Sequence, residues 1–472
     1  MKNLSIFFFP LLAHGHMIPT LDLAKLFSSK GVKSTIITTP RNVRHFEKAI
    51  DRAVQLGQEI SIKVIPFSAK ENGLPENCEC ADEVPFEDDM MPKFFCAMSK
   101  LQPELERILD EFRPDCLVAD MFFPWATDSA AKFGIPRLVF HGMSFFSLCA
   151  IHCLTIHKPH GNVVSETEPF VIPTLPHEVK MMKMQLADHH KEESDTEFSR
   201  LIERVKESEL VSYGVIVNSF YELEPDYADY FRRVLKRRAW HVGPVSLCNR
   251  EIQDKANRGK ESSIDKHECL KWLNLKKPKS VIYISFGSVA EFSKSQMIEI
   301  AAGLEDSGHS FIWVVRQEKN DELLPAGFEN RVKERGLIIW GWAPQVLILE
   351  HESIGGFLTH CGWNSIQEAI CAGVPMVTWP VSAEQFFNEV MVKDILKIGV
   401  EGGSKRWTFR TPVEEVKREM IAGAVKRVMK GEIAEGMRER MIALKKKAMM
   451  AVEEGGSSYT DLDDLLHQLS DK

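Results

Sequence analysis

The chain opens with residues 4–38, LSIFFFPLLAHGHMIPTLDLAKLFSSKGVKSTIIT. Leu4–Phe9 is almost entirely apolar, as expected of a strand covered on both faces of a parallel sheet. Pro19–Lys30 carries apolar residues at helical spacing and is followed by Gly31, which favours a helix end; Val32–Thr38 is rich in β-branched residues. The stretch therefore predicts a strand, a helix and a second strand, the βαβ unit of a parallel α/β sheet.

The same alternation continues along both halves of the chain. In the first half we predict strands at Cys116–Ala119 and Arg137–Phe140, with a helix near Trp125–Phe133 between them. In the second half the predicted strands are Val281–Phe286, Phe311–Val315, Leu337–Trp340, Ile354–Leu358 and Pro375–Trp379. The predicted fold class is α/β, with two doubly wound Rossmann-like domains that face each other across a cleft.

The length of the chain also favours two domains. Its 472 residues exceed the roughly 250–300 residues that a single hydrophobic core usually supports. The composition becomes polar and charged at residues 249–265, NREIQDKANRGKESSID, which is typical of a linker. We therefore predict an N-terminal domain at residues 1–248, this linker, a C-terminal domain at residues 266–455 and a last segment at residues 456–472.

Composition and charge exclude several classes of function. The formal net charge is −8 and the chain has no basic block, so nucleic acids and anionic membranes are poor candidate partners. No apolar run is long enough to cross a bilayer. The short apolar run near the start is interrupted by Pro10, which disfavours a signal peptide, and the ten cysteines are scattered without the spacing of a disulfide framework. We expect a cytoplasmic protein with reduced thiols.

The richest stretch for chemistry is residues 342–385, WAPQVLILEHESIGGFLTHCGWNSIQEAICAGVPMVTWPVSAEQ. A strand at Ile354–Leu358 and a helix from Trp363 to Ala372 place His360 in the turn between them and Asn364 in the first helical turn. The unpaired N–H groups and the dipole of a helix N-terminus attract anions, and such side chains add donors for a diphosphate.

Three further side chains of this stretch suit a nucleoside. Glu368 lies one helical turn beyond Asn364, where its carboxylate can accept hydrogen bonds from a ribose diol. Trp342 offers a flat face for a base and Gln345 an amide for its edge. Taken singly, each residue is better explained as a helix cap, a core side chain or a solvated charge. Together they predict a nucleotide pocket.

Residues 342–385 also resemble, along all their 44 residues, the plant secondary product glycosyltransferase box of family 1 UDP-sugar glycosyltransferases, and HCGWNS stands intact inside it. The resemblance extends to FPLLAHGHMIP near the start and implies the two-domain glycosyltransferase type B fold. In similar enzymes the last helix folds back on the first domain, which is our expectation for residues 456–472.

The resemblance assigns roles within the box. It implies that Trp342 stacks on uracil, that Gln345 assists at the nucleoside and that Glu368 holds the ribose. Gln385, the last residue of the box, is similar to glucose-using members. The implied donor-binding set is Ser288, Trp342, Ala343, Gln345, His360, Trp363, Asn364, Ser365, Glu368, Glu384 and Gln385.

The catalytic base is expected after the first strand, where His14 and His16 both lie in the predicted loop. A neutral imidazole there can take the proton of an acceptor hydroxyl. In the family the base is the histidine of a G-H-x-x-P pattern, which selects His16. Its orienting partner would be Asp120, which follows the strand Cys116–Ala119.

These assignments predict inverting transfer of glucose from UDP-glucose to a hydroxyl of a small hydrophobic secondary metabolite, giving a β-glucoside. No metal and no further cofactor is expected, since neutral hydrogen-bond donors can stabilise the negative charge that develops on the leaving diphosphate. The acidic pairs Asp88–Asp89 and Asp463–Asp464 are interpreted as solvated. The chain is expected to act as a monomer. VFHGMSFFSLCA and GVIVNSFYELEPDYADYF resemble the plant subgroup that glucosylates flavonoids, other phenols and triterpenoids. This resemblance implies a flavonoid or another phenol as the acceptor, with a triterpenoid or steroidal aglycone as the alternative. The predicted acceptor pocket consists of Phe122, Phe123, His141, Met143 and Phe146.

Three other classes of protein share parts of this pattern. A nicotinamide-dependent dehydrogenase would need G-x-G-x-x-G after the first strand, and LLAHGHMIP lacks it. A non-catalytic nucleotide-sugar-binding protein would keep the Trp342–Gln385 pocket and dispense with the base, yet both His16 and Asp120 are present. A serine hydrolase is disfavoured because Phe146 stands where the second glycine of a nucleophile elbow would be.

Overall fold

The computed structural model describes residues 4–472 except residues 86, 88, 192–195, 318, 321, 410 and 413. Asp88, interpreted above as solvated, lies outside the described residues. In the described part of the chain, two parallel sheets form two α/β domains. Among the same residues, no helix is both long and apolar enough to cross a bilayer.

The sheet of the N-terminal domain is parallel and has the strand order β3-β2-β1-β4-β5-β8-β9. Its strands are β1 (Ser5–Phe9), β2 (Lys33–Thr38), β3 (Ile60–Val64), β4 (Cys116–Asp120), β5 (Arg137–His141), β8 (Gly214–Val217) and β9 (Ala239–His241), and an antiparallel hairpin of β6 (Pro169–Ile172) and β7 (Val179–Met182) lies outside it. Along β1, Ile6 and Phe8 enter one hydrophobic cluster, and Phe7 and Phe9 enter another. Both faces of the sheet are therefore covered, as the uninterrupted apolar run predicted.

The helices of this domain lie between the strands in chain order. They are α1 (His14–Ser29), α2 (Glu47–Gln55), α3 (Met90–Ser99), α4 (Gln102–Phe112), α5 (Trp125–Lys132), α6 (Phe145–His157), α7 (Asp188–Lys191), α8 (Glu197–Val211) and α9 (Pro225–Asp229).

The C-terminal domain repeats the plan with the strand order β12-β11-β10-β13-β14-β15. Its strands are β10 (Val281–Ser285), β11 (Ser310–Val315), β12 (Gly336–Trp340), β13 (Ile354–Thr359), β14 (Met376–Thr378) and β15 (Gly399–Glu401). Alternate residues of β10 again enter two different clusters, so this domain is also doubly wound. The predicted fold class is confirmed, and the five predicted strands of this half agree with the observed ones to within about a residue.

The remaining helices begin in the linker and run to the end of the chain. They are α10 (Ile252–Ala256), α11 (Lys266–Asn274), α12 (Lys294–Ser307), α13 (Phe328–Val332), α14 (Gln345–Leu349), α15 (Trp363–Ala372), α16 (Gln385–Val390), α17 (Arg418–Met429), α18 (Glu432–Val452) and α19 (Ser457–Ser470).

Helix α19 lies against the N-terminal domain although it follows the C-terminal one. Leu462, Leu465, Leu466 and Leu469 are buried in the same cluster as Phe8 of β1. At its start, Ser458 Oγ donates to the carbonyl of Gly243 over 2.5 Å. Residues 456–472 thus complete the core of the first domain.

One sequence prediction about α1 is wrong. The helix begins at His14 and not at Pro19, so His14 and His16 lie in its first turn and not in a loop. A proline inside a helix leaves the carbonyl four residues earlier without its usual N–H partner. That carbonyl belongs to Gly15, and it accepts a hydrogen bond from Asn364 Nδ2 of the other domain at 2.7 Å. The helix tolerates Pro19 because the second domain supplies the missing donor.

Candidate functional site

The site lies where the strand order of each sheet reverses direction. In the first sheet the reversal falls between β1 and β4, and in the second between β10 and β13. Ligands of doubly wound sheets bind in the crevice outside the carboxyl ends of such strands. His16 follows β1, Asp120 ends β4, Ser288 follows β10 and His360 follows β13. Topology alone therefore brings residues from distant parts of the chain to one cleft.

The first of these pairs is His16 with Asp120. His16 Nδ1 lies 2.7 Å from Asp120 Oδ2, and the second carboxylate oxygen accepts from the backbone N–H of Phe122 at 3.0 Å. The Asp120 side chain is buried, whereas a quarter of the His16 side chain is exposed to the cleft. The arrangement holds Nδ1 against a carboxylate and leaves Nε2 as the nitrogen that can exchange a proton with a ligand.

Electrostatics of this pair favour a charged imidazole. Burial lowers the pKa of His16, but the Asp120 carboxylate outweighs burial and the net pKa is raised above its ordinary value. Burial raises the pKa of Asp120, and the interaction with His16 reverses this, so its net pKa is lowered. Asp120 therefore stays ionised and stabilises the imidazolium that forms when His16 takes a proton.

His14, the other histidine of the motif, is placed differently. It is 1% exposed, and its Nδ1 lies 2.8 Å from Asp82 Oδ2. Asp82 Oδ2 also accepts from the backbone N–H of His14 and from Cys80 Sγ. His14 is thus committed to a buried polar cluster next to the cleft, while His16 faces the cavity.

The cluster of His14, Cys80 and Asp82 brings three metal-ligating atoms within 4.8 Å of one another. The fold buries Cys80 beside His14, which lies 66 residues away in the sequence. The contacts of 2.8 and 3.1 Å to Asp82 Oδ2 are hydrogen-bond distances, and burial raises the pKa of the Cys80 thiol. Hydrogen bonding to one carboxylate accounts for the cluster, and the expectation of a metal-free site stays a prediction.

The diphosphate end of the predicted donor site is formed by the loops after β10 and β13. His360 is held between two glycines: a Cβ on Gly287 or Gly362 would lie about 2.5 Å or less from its Nε2. Gly287 also has φ +76°, a conformation that favours glycine. Burial lowers the pKa of His360 to about 4, and its Nδ1 has no hydrogen-bond partner among the described residues. A neutral imidazole with an unmet ring nitrogen suits a phosphate ligand.

The nucleoside end is connected by hydrogen bonds among box residues. Gln345 Nε2 donates to Glu368 Oε2 at 2.7 Å and to Ser365 Oγ at 3.0 Å. Gln345 Oε1 accepts from the hydroxyl of Tyr283 at 3.3 Å. Trp342 and Ala343 line the cavity just before α14. The structure therefore brings together the side chains that the sequence assigned to base and ribose.

The sugar end shows that some of these side chains have internal partners. The indole N–H of Trp363 donates to the carbonyl of Asn218 at 2.7 Å and is not available to a ligand. Gln385 Oε1 accepts from the backbone N–H groups of Val381 and Ser382 at 2.8 and 3.0 Å, which fixes the orientation of its amide. Glu384 lies at the start of α16, and burial raises its pKa.

Asn218 is a residue that the sequence analysis missed. It follows β8 of the first domain, and its carbonyl accepts from Trp363 and Gln367 of the second. Its Nδ2 donates to Asn364 Oδ1 at 3.4 Å. The apolar run Gly214–Val217 just before it was the available signal, but no local motif marks an interdomain contact.

The N-terminal part of the cleft is a wide, apolar cavity that is continuous with the donor end. The whole cavity has a volume of about 1720 Å³. Of the predicted acceptor residues, Phe122, His141 and Met143 line it. Further apolar or aromatic residues on its wall are Met91, Phe95, Trp125, Leu148, Ile151 and Phe198.

Two predicted acceptor residues are wrong. Phe123 is fully buried and stacks on Phe9 with ring centroids 4.1 Å apart. Phe146 is fully buried against Tyr227, with centroids 4.9 Å apart. Both residues follow strand ends, as their neighbours do, but they point into the core, which sequence position alone does not reveal.

Comparisons with known proteins agree with this geometry. The family model described as UDP-glucoronosyl and UDP-glucosyl transferase matches residues 20–438. The scopoletin glucosyltransferase of Nicotiana tabacum is 58% identical over 471 residues, covering 100% of this chain and 98% of the relative. The anthocyanin 3'-O-beta-glucosyltransferase of Gentiana triflora is 54% identical and covers 100% and 99%.

Solved structures give the same result. Glycyrrhiza uralensis UGT73P12, complexed with glycyrrhetinic acid 3-O-monoglucuronide, superposes with a TM-score of 0.93 at 42% identity, covering 100% of this chain and 96% of that one. Phytolacca americana UGT2, complexed with UDP-2fluoro-glucose and pterostilbene, superposes with a TM-score of 0.79 at 28% identity, covering 99% and 100%. The chain belongs to the UDP-glucuronosyl and UDP-glucosyl transferase family, and the predicted class of enzyme and the type B fold are confirmed.

Proposed function

We propose that this enzyme transfers glucose from UDP-glucose to a hydroxyl of a flat aromatic acceptor, with inversion to a β-glucoside and with His16 as the base. The observation that carries the proposal is the His16–Asp120 pair at 2.7 Å, which faces a cavity with an apolar, aromatic wall on one side and the nucleotide residues on the other.

The proposed reaction is a single displacement. The acceptor O–H gives its proton to His16 Nε2 while its oxygen attacks the anomeric carbon of glucose. The bond between that carbon and the diphosphate oxygen breaks on the opposite side, and its electron pair leaves with UDP. Asp120 stabilises the imidazolium and keeps the proton of Nδ1 in place. Attack from the face opposite UDP converts an α-linked donor to a β-glucoside.

We propose that charge on the leaving UDP is stabilised without a metal. The start of α15, a 10-residue helix, supplies backbone N–H groups and a positive dipole end, which favour an anion there. His360, Ser288, Asn364 and Ser365 line the same part of the cavity. In this proposal Gln385 contacts the sugar hydroxyls and favours glucose.

A phenolic acceptor is supported by the cavity wall and by the relatives. Phe95, Phe122 and Trp125 supply aromatic faces on which a planar ring can stack. The relatives with the highest identities quoted above carry names that refer to scopoletin and anthocyanin. A triterpenoid aglycone is the second candidate, favoured by the large cavity volume and by the similarity to a structure complexed with glycyrrhetinic acid 3-O-monoglucuronide.

We propose that the protein works in the cytoplasm as a monomer. All ten cysteines are thiols in the described structure, which suits a reducing compartment. The site is assembled from a single chain, so it does not require a second copy. Size-exclusion chromatography with light scattering tests the monomer, and a mass near 53.7 kDa is expected.

The experiment that tests the function is a mass-spectrometric screen with UDP-glucose against phenolic and triterpenoid aglycones. Products heavier by one hexose with phenols, and a β-anomeric coupling by NMR, are expected. The reaction should survive EDTA, and His16→Ala should lose transfer while it retains UDP binding. Full transfer by His16→Ala would overturn the assignment of the base, and products formed with triterpenoids alone would favour the second acceptor class.

A further inference from the structure

The linker is not a simple connection between the domains. After α10, residues 257–263, which we call the linker loop, run across the nucleoside end of the cleft. The loop is attached to Trp342 by two backbone contacts: the N–H of Ser263 donates to the carbonyl of Trp342 at 2.8 Å, and the N–H of Trp342 donates to Ser263 Oγ at 2.9 Å. The residue assigned to the base thus has its backbone held by the linker.

Gly259 lets the linker loop approach the indole of Trp342. Its φ is +94°, and a Cβ at this position would lie 2.6 Å from Trp342 Cζ2 and 3.0 Å from Ile18 Cδ1. Those distances are too short for a real side chain, so any other residue would displace Trp342 or Ile18 of α1. The loop is therefore closely packed against the face of the donor site and against the first domain.

Arg258 enters the same end of the cleft and joins the two domains. Its side chain is 10% exposed. Its Nε donates to Asp22 Oδ2 of α1 at 2.7 Å, and its Nη1 donates to Glu368 Oε1 of α15. Asp22 is itself held by Asn249 Nδ2 at 2.7 Å. A linker side chain thus contacts the carboxylate that the proposed function assigns to the ribose.

Glu368 needs such a partner to act on a ribose. A buried carboxylate without a compensating positive charge is costly and tends to become protonated. Arg258 contacts one oxygen and Gln345 the other, which places a positive charge beside the buried carboxylate and fixes its orientation. A carboxylate has about four lone-pair sites, so these two contacts leave room for two ribose hydroxyls.

We propose that the linker loop is part of the donor site, with Arg258 as a positioning residue that holds Glu368 for the ribose and Gly259 as the residue that lets the loop hold Trp342 in place. The proposal rests on the proposed function of Glu368. Because Arg258 is also bound to Asp22, binding of the nucleoside is coupled to the contact between the domains.

The test compares Arg258→Met with Arg250→Met, a matched linker arginine that is largely exposed and pairs only weakly with Glu453 at 3.3 Å. Measurements are the Kd for UDP by calorimetry, KM and kcat for UDP-glucose and for its 2′-deoxyribose analogue, and the thermal midpoint. Arg258→Met should raise Kd and KM for UDP-glucose about 10- to 100-fold, the loss expected for a buried charged hydrogen bond, with a smaller effect on the KM of the acceptor. Arg250→Met should behave like the parent.

Discrimination between the two donors separates positioning from mere stability. The parent should prefer the donor with an intact ribose, and Arg258→Met should lose most of that preference. Arg258→Lys, which keeps a charge but not the fork, should recover part of it. Gly259→Ala should raise the KM for UDP-glucose by displacing Trp342.

The outcomes that overturn the proposal are distinct from those that overturn the donor site. If Glu368→Gln loses ribose discrimination and folded Arg258→Met keeps it, the linker loop has no role in positioning. A fall in the thermal midpoint of Arg258→Met with unchanged UDP affinity contradicts the proposal as well. If Glu368→Gln itself leaves discrimination intact, the ribose assignment of Glu368 fails, and the role of Arg258 fails with it.

Discussion

The side chains that contact His14 and His16 decide which of these two histidines can act as the proposed base. Both contact an aspartate, but His14 is almost fully buried by Asp82 and Cys80, whereas His16 retains a face toward the cavity. Asp120 raises the pKa of His16, so the imidazole becomes neutral at a higher pH than an ordinary histidine does. A base must be neutral to accept a proton, so activity should fall as the pH falls through this raised value.

Asp120→Asn should slow transfer and move its pH dependence. Without the carboxylate, burial dominates and the pKa of His16 falls, so the acidic limb of the profile should shift to lower pH. The imidazole would also lose its orienting partner, which lowers kcat about 100-fold or more. Measurement of kcat from pH 5 to 9 checks both effects, and an unmoved acidic limb would contradict the role of Asp120.

Gly287→Ala should weaken donor binding for two reasons. The new methyl group would overlap His360, and the alanine would have to adopt an unfavourable positive φ. Strain of this kind costs about 1–3 kcal/mol, so the Kd for UDP should rise about 5- to 150-fold. Gly423→Ala in α17 is the control, since its Cβ would meet nothing within 4 Å and should leave binding unchanged. Calorimetric titration with UDP distinguishes the two variants.

At the scale of elements, two helices depend on contacts with the other half of the chain. Helix α1 carries Pro19 in its interior because Asn364 of α15 satisfies the carbonyl of Gly15. Helix α19 follows the second domain in sequence and covers the sheet of the first. Each helix depends on a partner from the other half of the chain, so neither half contains all of its own contacts.

Leu465→Ala should therefore destabilise the N-terminal domain. The side chain is fully buried beneath the first sheet, and its truncation leaves a cavity that costs about 2–5 kcal/mol. Asp464→Ala, the exposed neighbour, should have little effect. Urea unfolding followed by fluorescence tests this difference, and equal stability of the two variants would show that the contact of α19 contributes nothing.

At the scale of the whole molecule, the proposed catalysis requires that the two crevices, one at the strand-order reversal of each sheet, stay next to each other. Asn218 of the first domain contacts Trp363, Asn364 and Gln367 of the second, and the His16–Asp120 pair belongs to the first domain alone. The proposed donor site and the proposed base thus belong to different domains. Their relative position controls the distance between the acceptor oxygen and the anomeric carbon.

Asn218→Ala should reduce kcat more than it changes donor affinity. The substitution removes the side-chain contacts to Asn364 and to the N–H of Val245, each worth about 1 kcal/mol, so kcat should fall about tenfold. The proposed UDP site consists of residues of the second domain, so the Kd for UDP should change less than threefold. A proportional loss of UDP affinity would show that Asn218 acts on the donor pocket and not on the alignment of the domains.

The class of fold was predictable from the sequence, and a donor site could be proposed from it, because both rest on local features. Hydrophobic periodicity marks the buried strands, and the predicted donor residues of 342–385 lie at the start of α14, after β13, in α15 and at the start of α16. The same local reasoning failed where a residue's direction mattered: Phe123 and Phe146 follow strand ends as Phe122 does, yet both pack in the core. The predicted start of α1 was also wrong. The Gly15 carbonyl, which Pro19 leaves without an N–H partner, accepts from Asn364, 345 positions beyond Pro19 in the sequence.

The family and the two doubly wound domains thus follow from the amino-acid order alone, since they depend on periodicity and on short motifs, and the donor-binding side chains are predicted from the same motifs. The role of Arg258, the acceptor wall and the contact of Asn218 with α15 come only from the folded chain. The partners of these residues lie about 100 residues or more away in the sequence. No local pattern predicts the hydrogen bond between Arg258 and Glu368, or whether a phenylalanine after a strand faces the cavity or the core. Packing of one domain against the other makes those choices.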